Sequence, residues 1–334
     1  MTSTLATLTQ IIQPQLAAVE ELFHRELSSD LKCVNTLVKH VSRFRGKMLR
    51  PCLVLLSGKA VAPAASLGEA HVKLATVVEM VHMATLVHDD VLDEAELRRK
   101  GATINHLRGN EAAVLLGDYL ISHSYHLCSS VESSALGLPS QFASRLIAKT
   151  TNEVCEGELL QLDNRNNLDL DEQTYLEIIR RKTAVLTAAC CRLGATFSGA
   201  SKTVTAAMET YGMSLGTAFQ IQDDILDLVG DEGDVGKTLG IDIAKGKMTL
   251  PLIHFMRTAP SEHRTLLRSL LEEPDPDKAE KIRNLVIPSR SLQYARDRAR
   301  ALVDKARGCL TDLPGSQARM TLDTMAEFVV NRPL

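Results

Sequence analysis

The 334-residue chain contains no tryptophan, and aromatic residues make up only 4% of it. It also lacks the alternating apolar and polar runs and the Asn-Gly turns that mark strands and hairpins. Its seven cysteines are odd in number and form no Cys-X-X-Cys pair. A β-rich fold is therefore disfavoured, and the cysteines indicate a reduced, cytosolic protein.

Membrane and targeting signals are scarce as well. No apolar stretch approaches the length that is needed to span a bilayer, and no basic residue precedes Arg25 in a signal-like or transit-like pattern. We therefore expect no integral membrane segment. The net charge of −3 gives no general attraction to nucleic acid, so any anion site must be a local cluster of basic residues.

What the sequence does have is apolar residues at helical spacing, within a composition of 45% hydrophobic residues that is typical of globular proteins. The predicted helices lie near residues 8–28, 30–43, 67–92, 110–130, 139–161, 172–198, 202–229, 247–258 and 289–307. Short breaks rich in Pro, Gly and Asp separate them, and no long linker is visible. The sequence thus predicts a single all-α domain over residues 1–334, built as a bundle of long helices.

One acidic motif occurs twice, as DDVLD at 89–93 and as DDILD at 223–227, each time after a long apolar helix. Carboxylates at positions i and i+4 lie on one helix face. A single copy is more often a solvated helix end, but two copies on helices that look buried are poorly explained in that way. Mg²⁺ prefers hard oxygen ligands, which it shares between carboxylates, water and substrate phosphate. The motifs therefore predict Mg²⁺ and a phosphorylated substrate.

Basic residues accompany both motifs. They are Lys47 and Arg50 in RGKMLRP, Arg98 and Arg99 after the first motif, Lys182 beside Thr183 in RRKTAVL, and Lys237, Lys245 and Lys247 after the second motif. Each alone is more often a surface base, but their attachment to the acidic motifs favours a role in anion binding. Arginine offers forked hydrogen bonds to phosphate and lysine a point charge. The pattern predicts two anionic groups, one held through metal and one directly by bases.

With these motifs, the sequence resembles the trans-isoprenyl diphosphate synthases, the chain-elongating prenyltransferases, over most of its length. The matching segments, in the family's order, are EMVHMATLVHDDVLDEAELRR, GNEAAVLLGDYL, RKTAVL, FQIQDDILD and GKTLGIDIAKGKMTLPLI. The resemblance implies an all-helical fold of antiparallel helices around a central cavity. It also implies head-to-tail condensation of isopentenyl diphosphate with an allylic diphosphate, several Mg²⁺ ions shared with the substrate diphosphate, and a homodimer.

The resemblance also implies roles for individual residues. The metal ligands would be Asp89, Asp90, Asp93, Asp223, Asp224 and Asp227, and among the charged residues Asp89, Asp93, Asp223, Arg98 and Lys182 would be catalytic. The isopentenyl diphosphate site would consist of Lys47, Arg50, His82 and Arg99. The allylic diphosphate would be held by Arg98, Lys182, Thr183, Gln220 and Lys237. A lone helix histidine is more often a satisfied core residue, and His82 is singled out because it lies two turns before Asp89 on the same face.

Product length is predicted from the helix that precedes the first motif. Thr85 lies one turn before Asp89, and Ala84 is next to it; family members that stop at short products usually carry a bulky residue at one of these positions. Both residues are small here, so we expect a tunnel that stays open beyond the farnesyl length and beyond geranylgeranyl. Alternatively, Ala84 packs against a neighbouring helix and another residue limits the chain, as in a geranylgeranyl or farnesyl diphosphate synthase.

Two further alternatives share the expected fold. A terpene cyclase typically surrounds its cations with aromatic rings and needs no isopentenyl diphosphate site, whereas this chain is poor in aromatic residues and has Lys47 and Arg50. A non-catalytic subunit of a heteromeric synthase generally lacks an acidic motif, and both motifs are intact here. The expected protein is thus a cytoplasmic prenyltransferase, which contacts membranes only peripherally through its product and does not bind nucleic acid.

Overall fold

The computed structural model describes residues 9–43, 46–98, 101–229, 240–275 and 277–331. Its helices, in chain order, are α1 (Gln13–Glu26), α2 (Lys32–Ser42), α3 (Leu49–Val61), α4 (Glu69–Leu92), α5 (Ile104–Arg108), α6 (Asn110–Ser129), α7 (Phe142–Asp163), α8 (Glu172–Ile179), α9 (Val185–Phe197), α10 (Lys202–Val229), α11 (Ile241–Ala244), α12 (Leu250–Thr258), α13 (Ser261–Glu272), α14 (Lys278–Val286), α15 (Ser291–Gly308) and α16 (Gln317–Val330). Short 3₁₀ turns lie at Gln10–Ile12 and Ser134–Leu136. The predicted all-α class is confirmed.

A small hairpin interrupts the helices directly after the first acidic motif. Strands β1 (Leu97–Arg98) and β2 (Gly101–Ala102) are antiparallel, with Arg98 opposite Gly101. The sequence did not predict this hairpin, because two-residue strands are too short for an alternating pattern. It matters for the site because it places Arg98 beside the end of α4.

The chain divides into two compact units. The first unit comprises Met1–Asn152, Leu186–Gly212 and Cys309–Thr324, and the second comprises Glu153–Val185, Met213–Gly308 and Met325–Leu334. The single domain over residues 1–334 stays a prediction.

Helix α4 is the core of the first unit and packs most extensively against α6, with further contacts to α3 and α1. Its residues from Leu74 to Val81 are all buried, since the helix is apolar on most faces. Gly117 of α6 allows the close approach of the two helices, because a Cβ at that position would lie 2.1 Å from His88 Nε2. The end of α4 that carries the first acidic motif is therefore fixed against α6.

Helix α4 also corrects one sequence-based expectation. By length and composition this helix could cross a membrane, whereas the sequence analysis found no apolar stretch of sufficient length. However, 67% of its most apolar 18-residue window is buried inside the protein. Within the described ranges this burial is that of a core helix and gives no support to a membrane span.

The second unit has its own apolar core, formed by α8, the C-terminal part of α10, and α11 to α15. Helix α12 packs against α15 and α8 and supplies the fully buried Leu250 and Leu252. Tyr175 of α8 and Ile221 and Ile225 of α10 belong to the same cluster. The helix face that carries the second acidic motif is thus held by packing on its opposite side.

Candidate active site

The first acidic motif lies at the C-terminal end of α4. Asp89 and Asp93 are half-buried, and Asp93 closes the helix by donating its backbone N–H to the Asp89 carbonyl at 2.8 Å. The C-terminus of a helix carries partial negative charge, so carboxylates are unfavourable there unless a cation compensates them. This local electrostatics favours a positively charged occupant at the motif.

Asp90, in contrast, is buried and paired with a residue of the hairpin. The Arg98 Nε atom donates to both carboxylate oxygens of Asp90, at 2.8 and 3.0 Å, and Nη2 lies 2.7 Å from Oδ1. Asp90 was expected to bind metal and Arg98 to hold the allylic diphosphate. The structure brings the two together, and these roles stay predictions.

Two residues that the sequence did not single out hold the loop between the motif and the hairpin. The Asn105 side chain donates to the carbonyls of Asp90 and Ala95, at 3.2 and 3.0 Å, and the Thr103 hydroxyl donates to Ala95 at 2.6 Å. The last carbonyls of a helix have no partner within the helix, and that of Asp90 accepts from both the Ala95 backbone N–H, at 2.9 Å, and the Asn105 side chain. These residues therefore fix the backbone from which Asp90 and Arg98 extend.

The residues expected to bind isopentenyl diphosphate belong to the same unit. Lys47 is exposed just before α3, Arg50 is half-buried in the first turn of α3, and His82 is half-buried on α4. Met48, between the two bases, has a φ of 54°, a left-handed conformation that is uncommon for a side chain of this kind. Arg99 lies outside the described residues, and so does Lys237 of the allylic site.

The two positions expected to set product length differ in exposure. Ala84 is fully buried, whereas Thr85 is half-buried and donates its hydroxyl to the His82 carbonyl at 2.8 Å. Val77, Met80 and Val81, which precede Ala84 on α4, are fully buried. Of the two small residues, only Thr85 has an accessible side chain.

The second acidic motif lies near the C-terminal end of α10 in the second unit. Asp223 and Asp227 are half-buried, and Asp224 is buried. Asp227 accepts a hydrogen bond from the Asp242 backbone N–H at 3.0 Å. Burial, and then the charge of Asp242, raises the pKa of Asp224 to about 8. Carboxylates crowded in this way favour a cation among them.

Asp224 belongs to a chain of hydrogen bonds. The Thr183 hydroxyl donates to Gln220 Oε1 at 3.0 Å, Gln220 Nε2 donates to Asp224 Oδ1 at 2.9 Å, and the Tyr175 hydroxyl donates to Asp224 Oδ2 at 2.6 Å. Thr183 and Gln220 were both predicted to hold the allylic diphosphate; the structure brings them together, and their role stays a prediction. Tyr175 was missed because the contact joins residues 49 positions apart.

Lys182 and Thr183 lie on a π-helical turn, Arg180–Ala184, which joins α8 to α9. The Lys182 amine is paired with the Glu158 carboxylate of α7, which also accepts from Gln161 at 3.0 Å. The sequence predicted an uninterrupted helix over 172–198. A π-turn inserts an extra residue into the helix and is frequent at functional sites.

One cavity of the second unit collects most of the predicted allylic residues. Its lining includes Lys182, Thr183, Gln220 and Asp224, together with Tyr175 and Lys247. Lys247 Nζ lies 3.7 Å from Asp242 Oδ1. The lining of the cavity therefore combines hydrogen-bond donors and positive charge with carboxylates.

The described part of the chain has no group of three or more His, Cys, Asp or Glu side chains arranged to hold a metal ion. Mg²⁺ is usually bound by one or two carboxylates together with water and substrate phosphate, so an all-protein cage is not required. The pairs Asp89 with Asp93 and Asp223 with Asp227, each at i and i+4, supply hard oxygen donors of that kind. The donor set fits Mg²⁺ that is bound together with a diphosphate.

Both the sequence and the fold are similar to those of known proteins. A family model described as polyprenyl synthetase matches residues 31–287. The octaprenyl diphosphate synthase of Escherichia coli K12 is 33% identical, over 98% of this chain and 99% of that protein. A decaprenyl diphosphate synthase from Rhodobacter capsulatus superposes with a TM-score of 0.89 at 34% identity, covering 98% of this chain and 99% of the other. A polyprenyl synthase from Caulobacter crescentus CB15, complexed with calcium and isoprenyl diphosphate, gives 0.88 at 32% identity, with 98% of both chains covered.

The protein is therefore an all-helical prenyltransferase of the isoprenoid synthase fold. It belongs to the polyprenyl synthetase family.

Proposed function

We propose that the protein is a long-chain all-trans-polyprenyl diphosphate synthase, which joins isopentenyl diphosphate head-to-tail to an allylic diphosphate and gives a product longer than geranylgeranyl diphosphate. The observation that supports a long product is the small, half-buried side chain of Thr85, one turn before Asp89. The octaprenyl and decaprenyl synthases among the relatives support the same conclusion.

The residues of the second unit are proposed to bind the allylic diphosphate. Lys182 and Thr183 on the π-turn and Gln220 on α10 open onto one cavity, where they supply positive charge and hydrogen bonds for a diphosphate. As the allylic C–O bond breaks, negative charge grows on the departing pyrophosphate, and Lys182 is proposed to stabilise this charge. Lys237, which lies outside the described residues, stays a predicted member of this site.

Asp89, Asp93, Asp223 and Asp227 are proposed to hold Mg²⁺, with Asp90 and Asp224 as their buried neighbours in the two motifs. When bound, Mg²⁺ neutralises charge on the diphosphate and makes it a better leaving group. The support is the set of donor atoms. Hard carboxylate oxygens lie at the C-terminal end of a helix, where negative charge is unfavourable, and next to Asp224, whose pKa is raised.

Lys47, Arg50 and His82, with Arg99, are proposed to bind isopentenyl diphosphate. The double bond of this substrate attacks the allylic carbon, and loss of a proton then leaves a chain that is one isoprene unit longer. Holding both substrates in reacting geometry supplies much of the rate.

We also propose a homodimer in the cytoplasm, peripheral to membranes through its product. The exposed Val114 and Leu115 on α6 support self-association. All seven cysteines are free, and they include the exposed Cys33 and Cys155, as expected in a reducing compartment.

The proposal is tested by product analysis. The purified protein, given labelled isopentenyl diphosphate, farnesyl diphosphate and Mg²⁺, should form prenyl diphosphates that, after dephosphorylation, migrate beyond geranylgeraniol on reversed-phase chromatography. Asp89→Asn should lower turnover by about a hundredfold or more, because a carboxylate at the leaving group is lost. The exposed Asp304 of α15 provides the matched control, and Asp304→Asn should leave turnover unchanged.

The result also separates the alternatives. A product that ends at farnesyl or geranylgeranyl length would contradict the long-chain proposal. Release of pyrophosphate from the primer without isopentenyl diphosphate would indicate a cyclase. No turnover until a second protein is added would indicate a subunit of a heteromeric synthase.

A further inference from the structure

The hydrogen-bond chain that runs from Thr183 through Gln220 and Asp224 ends at Tyr175, a residue that brings no charged group to the cavity. We propose that Tyr175 is a positioning residue for the allylic diphosphate site: its hydroxyl fixes Asp224 and, through Gln220, sets the orientation of Thr183 on the π-turn. The inference rests on the proposed function, because it concerns how that site is held in place.

Asp224 needs its two donors. It is 6% exposed, and its carboxylate accepts from Gln220 at one oxygen and from Tyr175 at the other. A buried carboxylate oxygen without a donor is costly. At 2.6 Å, the bond from the Tyr175 hydroxyl is at the short end of the range for hydrogen bonds between oxygen atoms. Tyr175 is itself 3% exposed, so its ring is fixed by packing.

The direction of the chain follows from what each group can donate. The NH₂ group of Gln220 points towards Asp224 and donates to its Oδ1 oxygen, while the Tyr175 hydroxyl donates to Oδ2. The amide oxygen of Gln220 then points the other way and accepts from the Thr183 hydroxyl. Asp224 thus selects one orientation of Gln220, and that orientation selects one position for the Thr183 side chain.

The chain joins three separate segments of the second unit. Tyr175 belongs to α8, Asp224 and Gln220 belong to α10, and Thr183 belongs to the π-turn next to Lys182. Without the Tyr175 hydroxyl, Asp224 would be free to seek another donor, and Gln220 would lose its fixed partner. We therefore expect the loss to act on the allylic diphosphate and not on isopentenyl diphosphate.

Tyr175→Phe tests this inference, because it removes one hydroxyl and keeps the buried ring. The Michaelis constant for farnesyl diphosphate should rise about tenfold, in line with the loss of one buried hydrogen bond. The Michaelis constant for isopentenyl diphosphate should be unchanged. Calorimetric titration with inorganic pyrophosphate in the presence of Mg²⁺, a readout that needs no turnover, should show a similar loss of affinity.

Tyr294→Phe is the matched control. The Tyr294 hydroxyl also donates to a carboxylate of the second unit, that of Glu172, at 2.8 and 2.7 Å. Glu172 even lies on the same helix as Tyr175, but it does not line the cavity. This variant should leave pyrophosphate affinity and both Michaelis constants unchanged. If it weakened pyrophosphate binding as much as Tyr175→Phe does, the effect would be one of general stability and the inference would be wrong.

A double-mutant cycle with Thr183→Val tests the chain itself. Residues that share one hydrogen-bond network are energetically coupled, so the two losses in pyrophosphate affinity should be less than multiplicative in the double variant. Fully multiplicative losses would overturn the inference. The inference would also be overturned if the wild type elongated normally and the Tyr175→Phe protein bound pyrophosphate as tightly as the wild type does. A wild type that does not elongate at all would count against the proposed function, and the calorimetric comparison would still decide the role of Tyr175.

Discussion

Asp90 and Asp224 occupy the same position in the two acidic motifs, and each is 6% exposed. Asp90 is bound by the Arg98 guanidinium, and Asp224 by Tyr175 and Gln220. The first and last aspartates of each motif are half-buried instead. In both units, therefore, the second aspartate is held by protein donors, and the outer pair is the better candidate for direct metal binding.

Thr85→Phe should shorten the product. Thr85 is half-buried one turn before Asp89, so a phenyl ring there would extend into the space proposed for the growing chain. The dephosphorylated product should then migrate at or below geranylgeraniol on reversed-phase chromatography. The matched control is Thr85→Val, which keeps the volume and removes only the hydrogen bond to His82. An unchanged product from Thr85→Phe, or an equally short one from Thr85→Val, would mean that another position sets the length.

At the scale of elements, the long helices were predictable and the short or fully buried ones were not. Helix α4 begins at Glu69 and α10 ends at Val229, within two residues of the predicted bounds 67–92 and 202–229. Helix α3 was missed, because Pro51 to Gly58 are all buried and the segment shows no amphipathic period. Helices α13, α14 and α16 were also missed, which leaves the C-terminal part of the chain less well predicted.

The π-turn was beyond sequence-based prediction for a different reason. RRKTA reads as ordinary helix, and nothing in its local pattern indicates the extra residue in the turn. A Cβ at Gly157 of α7 would lie 2.6 Å from both Arg181 Cβ and the Lys182 backbone nitrogen. The local motif predicted Lys182 and Thr183 as site residues, whereas the close contact of their turn with Gly157 joins distant segments and has no local signal.

Gly157→Ala should therefore disturb the π-turn. The added methyl group forces α7 and the turn apart, so we expect a loss of stability of about 1–3 kcal/mol. In a thermal scan this corresponds to a fall of several degrees in the melting temperature. Pyrophosphate affinity in the presence of Mg²⁺ should fall as well, because Lys182 and Thr183 lie on the displaced turn.

Gly308→Ala is the control for that prediction. Gly308 ends α15, and a Cβ there would meet nothing within 4 Å. The substitution should leave stability unchanged or slightly increased, because it reduces the conformational freedom of the unfolded chain. If Gly157→Ala were as stable as Gly308→Ala and bound pyrophosphate normally, the close contact would not position the turn.

At the scale of the whole molecule, four of the five boundaries between the two units fall inside helices, and the fifth follows Gly308 at the end of α15. The changes after Asn152, Gly212 and Thr324 lie within α7, α10 and α16. Linkers rich in Pro, Gly or polar residues are the usual sequence signal of a domain boundary, and none is present at these positions. The sequence therefore predicted one domain, and nothing in its local pattern could have indicated two compact units.

The proposed homodimer would bury two exposed apolar side chains of α6. Leu115 on α6 is 68% exposed beside Val114, which is 42% exposed, an unusual pair for a surface helix turn. By light scattering, the wild type should have the mass of two 36.5 kDa chains. Leu115→Arg places a charge on the apolar surface and should weaken association by about tenfold or more, because burying that charge is costly.

Leu159 provides the matched control for the dimer surface, since it is 66% exposed on α7 of the second unit. Leu159→Arg introduces the same charge at a site of equal exposure, and this variant should remain dimeric. Circular dichroism of both variants should match the wild type, because neither side chain is part of a core. A wild type that runs as a 36.5 kDa monomer would contradict the homodimer. A Leu115→Arg protein that stays dimeric at low micromolar concentration would place the interface on another surface, because a charge within the buried patch cannot be accommodated without loss of affinity.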